Sequence, residues 1–162
     1  MKKNIDDKIK TVMIFTFVLY LIVLFYFLFF ADSMGRTIPG ASYRYNLTVF
    51  QEIGRFIKYW EIIGAKITIL NLGGNIAGFI PFGFLVPFLS EKNKNLYKMV
   101  VLSFLLSLLI ELLQLVFKVG CFDVDDMLLN TIGGFLGYCI FCIGGFLRRK
   151  RNGKKSWKKT SL

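Results

Sequence analysis

The chain has 162 residues, 55% of them hydrophobic, and a formal net charge of +11. It contains no histidine, which excludes a Ser-His-Asp or Cys-His catalytic mechanism within one subunit. Long apolar runs replace the amphipathic periods and charged faces of a soluble fold, so the composition excludes an ordinary soluble protein.

Four apolar segments are long enough to cross a membrane, since a helical span needs about 20 residues. They cover residues 11–31, 67–90, 99–117 and 127–147. Glu111 is the only charged residue within them. The first segment exceeds the apolar core of about 7–15 residues found in signal peptides, so we expect a retained anchor. We predict an all-α polytopic bundle of four transmembrane helices, with residues 1–162 forming one domain.

The basic residues are concentrated on one side of this predicted bundle. Fifteen of the 21 Lys and Arg residues lie in residues 1–10, 90–98 and 148–162. By the positive-inside rule these segments are cytoplasmic, which places both termini inside the cell. The positive charge then reflects topology and attraction to anionic lipid. We therefore expect membrane lipids, and not nucleic acid, as partners.

The largest external loop, residues 32–66, ends in an amphipathic pattern. Apolar or small residues recur there at three- and four-residue spacing, namely Phe50, Ile53, Ile57, Trp60 and Gly64. Charged and polar residues lie between them. This pattern predicts a helix that lies in the outer membrane interface or packs over the mouth of the bundle.

The second span carries amides, glycines and prolines. On a helix of about 100° per residue, Asn71 and Asn75 share one stripe, and buried amides need hydrogen-bond partners. Pro81 removes a helical hydrogen bond, so we expect a kink or a break there. Small residues in the second and fourth spans predict close helix packing. These structural positions are Gly74, Gly78, Pro81, Gly83, Gly133 and Gly137.

The third span is apolar except for one polar face. Ser103, Ser107, Glu111, Gln114 and Lys118 lie within about 80° of arc on a helix. An ionisable group inside a span is costly in lipid, so it usually faces a bundle interior or a wet cavity. We therefore expect this face to point into the bundle.

By this topology, polar side chains converge at the outer ends of the second, third and fourth spans. They either satisfy one another's hydrogen bonds or surround an outward-facing polar pocket. The predicted binding residues are Arg44, Asn46, Asn71, Asn75, Ser107, Glu111, Gln114, Asp123, Asp126 and Asn130. Arginine suits the oxygens of an anionic head group, although loop solvation accounts equally well for Arg36, Arg44 and Arg55.

A catalytic alternative rests on the carboxylates near this point. Glu111, Asp123, Asp125 and Asp126 could hold Mg²⁺ or supply a general base. Their spacing is not diagnostic of a known metal site, and Asp126 could simply cap the fourth helix. No cofactor is expected outside this alternative, and the three cysteines are predicted to be free thiols.

Four ordered motifs extend over nearly the whole chain between its charged termini. They are Arg44-Tyr45-Asn46-Leu47 with Phe50; Asn75-x5-Pro81-x-Gly83; Ser107-x3-Glu111-x2-Gln114; and Phe122-Asp123-x-Asp125-Asp126-x3-Asn130-Thr131-x-Gly133-Gly134-x2-Gly137. Together they resemble the VanZ-like family. Val49 departs from the proline found before Phe50 in many members. The resemblance implies a bacterial plasma-membrane protein linked to low-level resistance to teicoplanin-type glycopeptides, and it brings no agreed mechanism.

Two classes of function remain open at this point. In the first, a non-enzymatic envelope protein binds an envelope lipid, a lipid-linked precursor or the lipoglycopeptide in its polar pocket. In the second, an intramembrane enzyme acts on a lipid phosphate through Glu111, Asp123 and Asp126. A transporter is a weaker reading, because four spans without an internal repeat would need a homo-oligomer to form a path.

Overall fold

The computed structural model describes residues 2–30, 43–89 and 95–160. Within these ranges the chain forms α1 (Lys2–Phe30), β1 (Tyr45–Asn46), α2 (Gln51–Lys58), α3 (Trp60–Ile63), α4 (Ala65–Thr68), a π segment (Ile69–Gly73), α5 (Gly74–Leu89), α6 (Leu96–Phe117), β2 (Phe122–Asp123) and α7 (Val124–Thr160).

Four helical stretches are long and apolar enough to cross a membrane. They cover Lys10–Phe29, Ala65–Leu89, Leu96–Phe117 and Val124–Lys150. The predicted all-α bundle of four spans is confirmed. The last helix continues to Thr160, beyond the predicted end of the span at residue 147, because its Lys and Arg residues are good helix formers.

The second span contains an irregular segment before Pro81. Helix α5 continues through Pro81 and Pro87, so the chain does not break at Pro81, and the alternative of a kink there stays a prediction. An irregularity lies about two to three turns earlier, in the π segment that contains Asn71. Single π turns inside helices occur frequently at functional sites.

The centre of the bundle is the close approach of α5 and α7. A Cβ atom added at Gly133 would overlap the backbone carbonyl of Ile76, and one at Gly137 would overlap that of Ile80. A Cβ at Gly83 would likewise overlap the carbonyl of Gly134. Only glycine lets the two backbones come this close, as is common between membrane helices.

Gly74 and Gly78 differ from these three glycines in their surroundings. No heavy atom lies within 4 Å of a Cβ built at Gly74, whereas one at Gly78 would meet only the Leu24 side chain, at 3.7 Å. Gly74 therefore takes no part in close helix packing. The space beside it is open.

Helix α1 packs on the outside of the bundle through a short stretch. Leu24 is buried against Phe79 of α5 and Ile110 of α6. The Tyr20 hydroxyl donates a hydrogen bond of 2.8 Å to the carbonyl of Gly78. Only 6% of the apolar part of α1 is buried in the protein, so most of this helix faces lipid.

The backbone packing of α7 can be tested at two glycines of one helix. We expect Gly133→Ala to lower the free energy of unfolding by about 1–3 kcal/mol, the usual cost of overpacking a tight interface. Gly144→Ala is the matched control, since nothing lies within 4 Å of its added Cβ. Thermal unfolding of the detergent-solubilised protein measures the difference. Equal unfolding temperatures for the two variants would contradict the close contact.

Candidate functional site

Polar side chains gather at one end of the bundle, where α6 ends, α7 begins and α5 starts. We call this set the polar cluster, and its members are Asn46, Asn75, Glu111, Gln114, Asp123, Asp125 and Asp126. Two-residue strands hold the external loop against it, because Tyr45 pairs with Phe122 and Asn46 with Asp123 in a parallel register. The cluster therefore joins residues that are as far apart in the sequence as Asn46 and Asp126.

Asp123 connects three elements of the cluster. Its Oδ1 accepts hydrogen bonds from the backbone N–H of Asp125 at 2.8 Å and from the Asn46 side chain at 3.1 Å. The first bond is the N-cap of α7, a role that sequence reasoning gave to Asp126. The Asp123 N–H in turn donates to the Glu111 carboxylate at 3.0 Å. Burial raises the pKa of the Asp123 carboxyl above its usual value.

Asp125 fixes the external helix α2 to the bundle. Its carboxylate accepts three backbone N–H groups, from Phe50 at 2.5 Å, Glu52 at 2.9 Å and Ile53 at 3.1 Å. Helix α2 has no side-chain cap of its own, and its first N–H groups need partners. Asp125, which is 1% exposed, thus caps α2 from a distance of more than 70 residues in sequence.

The residue at the start of α2 has an unusual backbone. Phe50 precedes the helix with φ 64°, in the left-handed region that non-glycine residues rarely adopt. Its N–H points to Asp125. The hydrogen bond to a buried carboxylate stabilises this turn, although Val49 precedes it in place of proline.

Three further hydrogen bonds join the spans to one another. The Asn75 side chain donates to the Asp126 carboxylate. Gln114 donates to the backbone carbonyl of Leu28 in α1 at 3.0 Å. Deeper in the bundle, Asn130 donates to the Ser107 hydroxyl at 2.8 Å. The polar face of α6 therefore points inward, where each amide finds the partner that lipid cannot provide.

A cavity of about 210 Å³ opens beside the polar cluster, and we call it the polar cavity. Its walls come from the Arg44 region, α2, the π segment, the end of α6 and the start of α7. The lining residues are Arg44, Glu52, Ile53, Arg55, Phe56, Asn71, Leu72, Gln114, Gly120, Cys121, Asp123, Asp125, Asp126 and Leu129. Helix α2 covers one side of it.

The charges around the polar cavity are of both signs. Four carboxylates line it against two guanidinium groups. Arg55 forms an ion pair with Glu52 of the same helix at 2.5 Å. Within the described ranges no ion pair joins Arg44, whose side chain is exposed at the cavity. Arg36 lies outside the described residues.

The predicted binding residues divide into three groups. Arg44, Asn71, Gln114, Asp123 and Asp126 line the polar cavity. Asn46, Asn75 and Glu111 hold lining residues by hydrogen bonds. Ser107 and Asn130 bond to each other below it, where both are buried. The binding role of all ten stays a prediction.

The hydrogen-bond partner of the Asn71 side chain lies in its own span and not in the third or fourth. Its side chain donates to the Ile67 carbonyl, one turn earlier in its own span, at 2.9 Å. The π turn changes the rotation of the following residues, since its hydrogen bonds skip one more residue than those of an α-helix. Asn75 is thereby directed to Asp126, while Asn71 stays at the cavity wall.

Sequence reasoning missed the contribution of α2 to the cavity. Glu52, Ile53, Arg55 and Phe56 all line it. The amphipathic pattern in the sequence predicts the helix but does not distinguish a position in the membrane interface from one over the bundle. The hydrogen bonds from α2 to Asp125 decide for a position over the bundle.

The carboxylates do not form a metal site. In the part of the chain that the structure describes, no three Asp, Glu or Cys side chains are grouped so that they could hold a metal ion. Backbone N–H groups already occupy oxygens of Asp123, Asp125 and Glu111. These residues therefore do not fit Mg²⁺, which prefers near-ideal octahedral oxygen ligation.

The cysteines are free thiols in the structure. Cys121 is partly buried at the polar cavity, and burial raises its pKa. Cys139 and Cys142 lie on the fourth span. None of the three is bonded to another.

The attachment of α2 can be tested at Asp125. We expect Asp125→Ala to accelerate amide hydrogen exchange at Glu52 and Ile53 by about 5- to 30-fold, since loss of a helix cap costs about 1–2 kcal/mol. Asp125→Asn keeps one acceptor oxygen and should have a smaller effect. Glu61→Gln, on the exposed surface of α3, is the control. Unchanged exchange in Asp125→Ala would contradict the cap.

Comparisons with known proteins agree with this architecture. The family model described as VanZ/LLP1 matches residues 17–147. Protein VanZ of Enterococcus faecium is 31% identical to the chain over 110 residues, which are 68% of this chain and 58% of that protein. No solved structure matches the chain. The matched region contains the polar cluster, the second and third spans and most of the first and last spans. The chain belongs to the VanZ/LLP1 family.

Proposed function

We propose that this protein binds the head group of an envelope lipid in its polar cavity, at the outer face of the bacterial plasma membrane. Through this binding it contributes to low-level tolerance of teicoplanin-type glycopeptides. The observation that carries the proposal is the cavity itself, which is lined mainly by polar side chains and covered on one side by α2. Three of these side chains, Gln114, Asp123 and Asp125, are buried.

The size of the cavity favours a head group over a whole drug. Its volume is about 210 Å³, whereas sites that enclose drug-sized ligands have volumes of about 300–1,000 Å³. A glycopeptide is too large to enter. Direct binding of the drug is therefore the less favoured form of the proposal.

The chemistry of the cavity wall supports a polar, charged ligand. Arg44 is exposed and has no ion-pair partner among the described residues, so its planar donors are free to bind phosphate or carboxylate oxygens. The Asp126 carboxylate and the Gln114 amide lie on the same wall. A ligand that enters from the lipid phase would find both donors and acceptors there.

The orientation follows from the distribution of charge. The polar cluster lies where α6 ends and α7 begins, whereas the basic residues of 90–98 and 148–162 flank the other ends of these two helices in the sequence. The positive-inside rule places those segments in the cytoplasm, so the cavity faces outward. Glycopeptides act on the outer side of the membrane, which fits this orientation.

Binding accounts for the carboxylates better than catalysis does. Glu111 and Asp123 accept backbone hydrogen bonds that hold the cluster together. A general base would need a free lone pair directed at the substrate. Membership of the VanZ/LLP1 family supports the link to resistance, because the resemblance implies that phenotype for its members.

We expect expression of the chain in a sensitive bacterium to raise tolerance to teicoplanin more than to vancomycin. Arg44→Gln and Asp126→Asn should each remove most of this gain, because they remove charges from the cavity wall. Minimum inhibitory concentrations measure the effect, with the amount of protein in the membrane fraction determined alongside.

Glu61→Gln is the matched control, since Glu61 is exposed and lies outside the cavity wall. A gain that survives in both cavity variants would show that the polar cavity is not involved. No gain from the unaltered chain would overturn the link to resistance.

A further inference from the structure

A second cavity lies beside the polar cavity, between α1 and the second span. Its volume is about 370 Å³, and we call it the apolar groove. The residues that line it are Tyr20, Val23, Leu24, Phe27, Leu28, Leu70, Asn71, Gly74, Asn75, Ala77, Gly78 and Pro81. Hydrocarbon side chains form most of this wall, and Gly74 and Gly78 contribute no side chain to the space between α1 and the second span.

The groove and the polar cavity are neighbours. Asn71 lines both of them, since the π segment forms the wall between them. Asn75 lines the groove and donates a hydrogen bond to Asp126, which lines the polar cavity. One molecule with a polar end and an apolar end can therefore occupy both spaces.

Apolar cavities stay dry and take up apolar molecules. The groove lies between two membrane-spanning segments, and little of the apolar part of α1 is buried in the protein. The surrounding medium is therefore hydrocarbon chains. The volume of the apolar groove, about 370 Å³, lies in the range of about 300–1,000 Å³ typical of ligand sites. The volume of the polar cavity alone lies below that range.

The charges of the polar cavity select among head groups. A purely anionic head would bind Arg44 but would face the excess of carboxylates on the same wall. A head that carries a phosphate and an ammonium group complements both signs, and such complementarity decides specificity. The phosphate would lie at Arg44 and the ammonium at the carboxylates.

We infer that the protein binds one phospholipid whose head carries both a phosphate and an ammonium, with the head in the polar cavity and one hydrocarbon chain in the apolar groove. This inference rests on the proposed function and names its ligand class. It also assigns the groove between α1 and α5 as the site of the chain.

The glycines of the chain offer a matched test. Gly74 is exposed in the groove and a Cβ there meets nothing within 4 Å, so Gly74→Leu fills the groove without a backbone clash. Ala77→Leu fills the same space from the next turn and guards against a folding defect in the first variant. Gly144→Leu adds the same side chain at an equally open glycine outside the groove.

The measurement is native mass spectrometry of the full-length, delipidated protein in detergent, titrated with phosphatidylethanolamine or phosphatidylglycerol of equal chain length. We expect one tightly bound phosphatidylethanolamine and weaker binding of phosphatidylglycerol. Gly74→Leu and Ala77→Leu should each weaken this binding by about tenfold or more, since the chain loses buried area. Gly144→Leu should bind like the unaltered protein.

Two results would overturn the inference. Equal affinity for both lipids would exclude the assigned head group, and unchanged binding in both folded groove variants would exclude the assigned chain site. The proposed function fails separately, if Arg44→Gln and Asp126→Asn keep full teicoplanin tolerance. The two failures are distinguishable. If Gly74→Leu and Ala77→Leu still bind the lipid while Arg44→Gln and Asp126→Asn lose tolerance, the inference is overturned and the proposed function stands.

Discussion

The Asp125 carboxylate is the contact on which the polar end of the molecule depends. It is 1% exposed and accepts three backbone N–H groups from the start of α2. A buried carboxylate is costly unless hydrogen bonds compensate it, and the first turn of a helix has N–H groups that need acceptors. Each requirement satisfies the other, and the external helix is thereby held over the bundle as one wall of the polar cavity.

Buried polar groups also satisfy one another's hydrogen bonds deeper in the bundle, below the polar cavity. Glu111 accepts the Asp123 N–H, and Asn130 donates to Ser107. Ser107, Glu111 and Asn130 lie inside apolar helices, where lipid offers no hydrogen-bond partners. They are therefore paired with one another or with nearby backbone groups. The close contact of α5 with α7 at Gly133 brings the Asn75 side chain of α5 within reach of α7. Packing and hydrogen bonding together place Asn75 against Asp126.

The side of the bundle formed by α1 is less tightly packed than the contact between α5 and α7. Helix α1 contacts the bundle around Leu24 and leaves the apolar groove beside Gly74. The tight α5–α7 contact gives a rigid support, and the gap at α1 gives access from the lipid. A polar cavity that meets an apolar groove at Asn71 has the form of a site for an amphiphile.

Hydropathy and helical spacing in the sequence determined the four spans, the inward polar face of α6 and the end of the bundle where the polar groups meet. These properties are local, because they depend on the length of an apolar run and on about 100° of rotation per residue. Only the tertiary structure decided the π turn at Asn71, the cap that Asp125 gives to α2 and the open space at Gly74. Each of these depends on how helices distant in sequence are packed and rotated against each other, and no local pattern encodes that rotation.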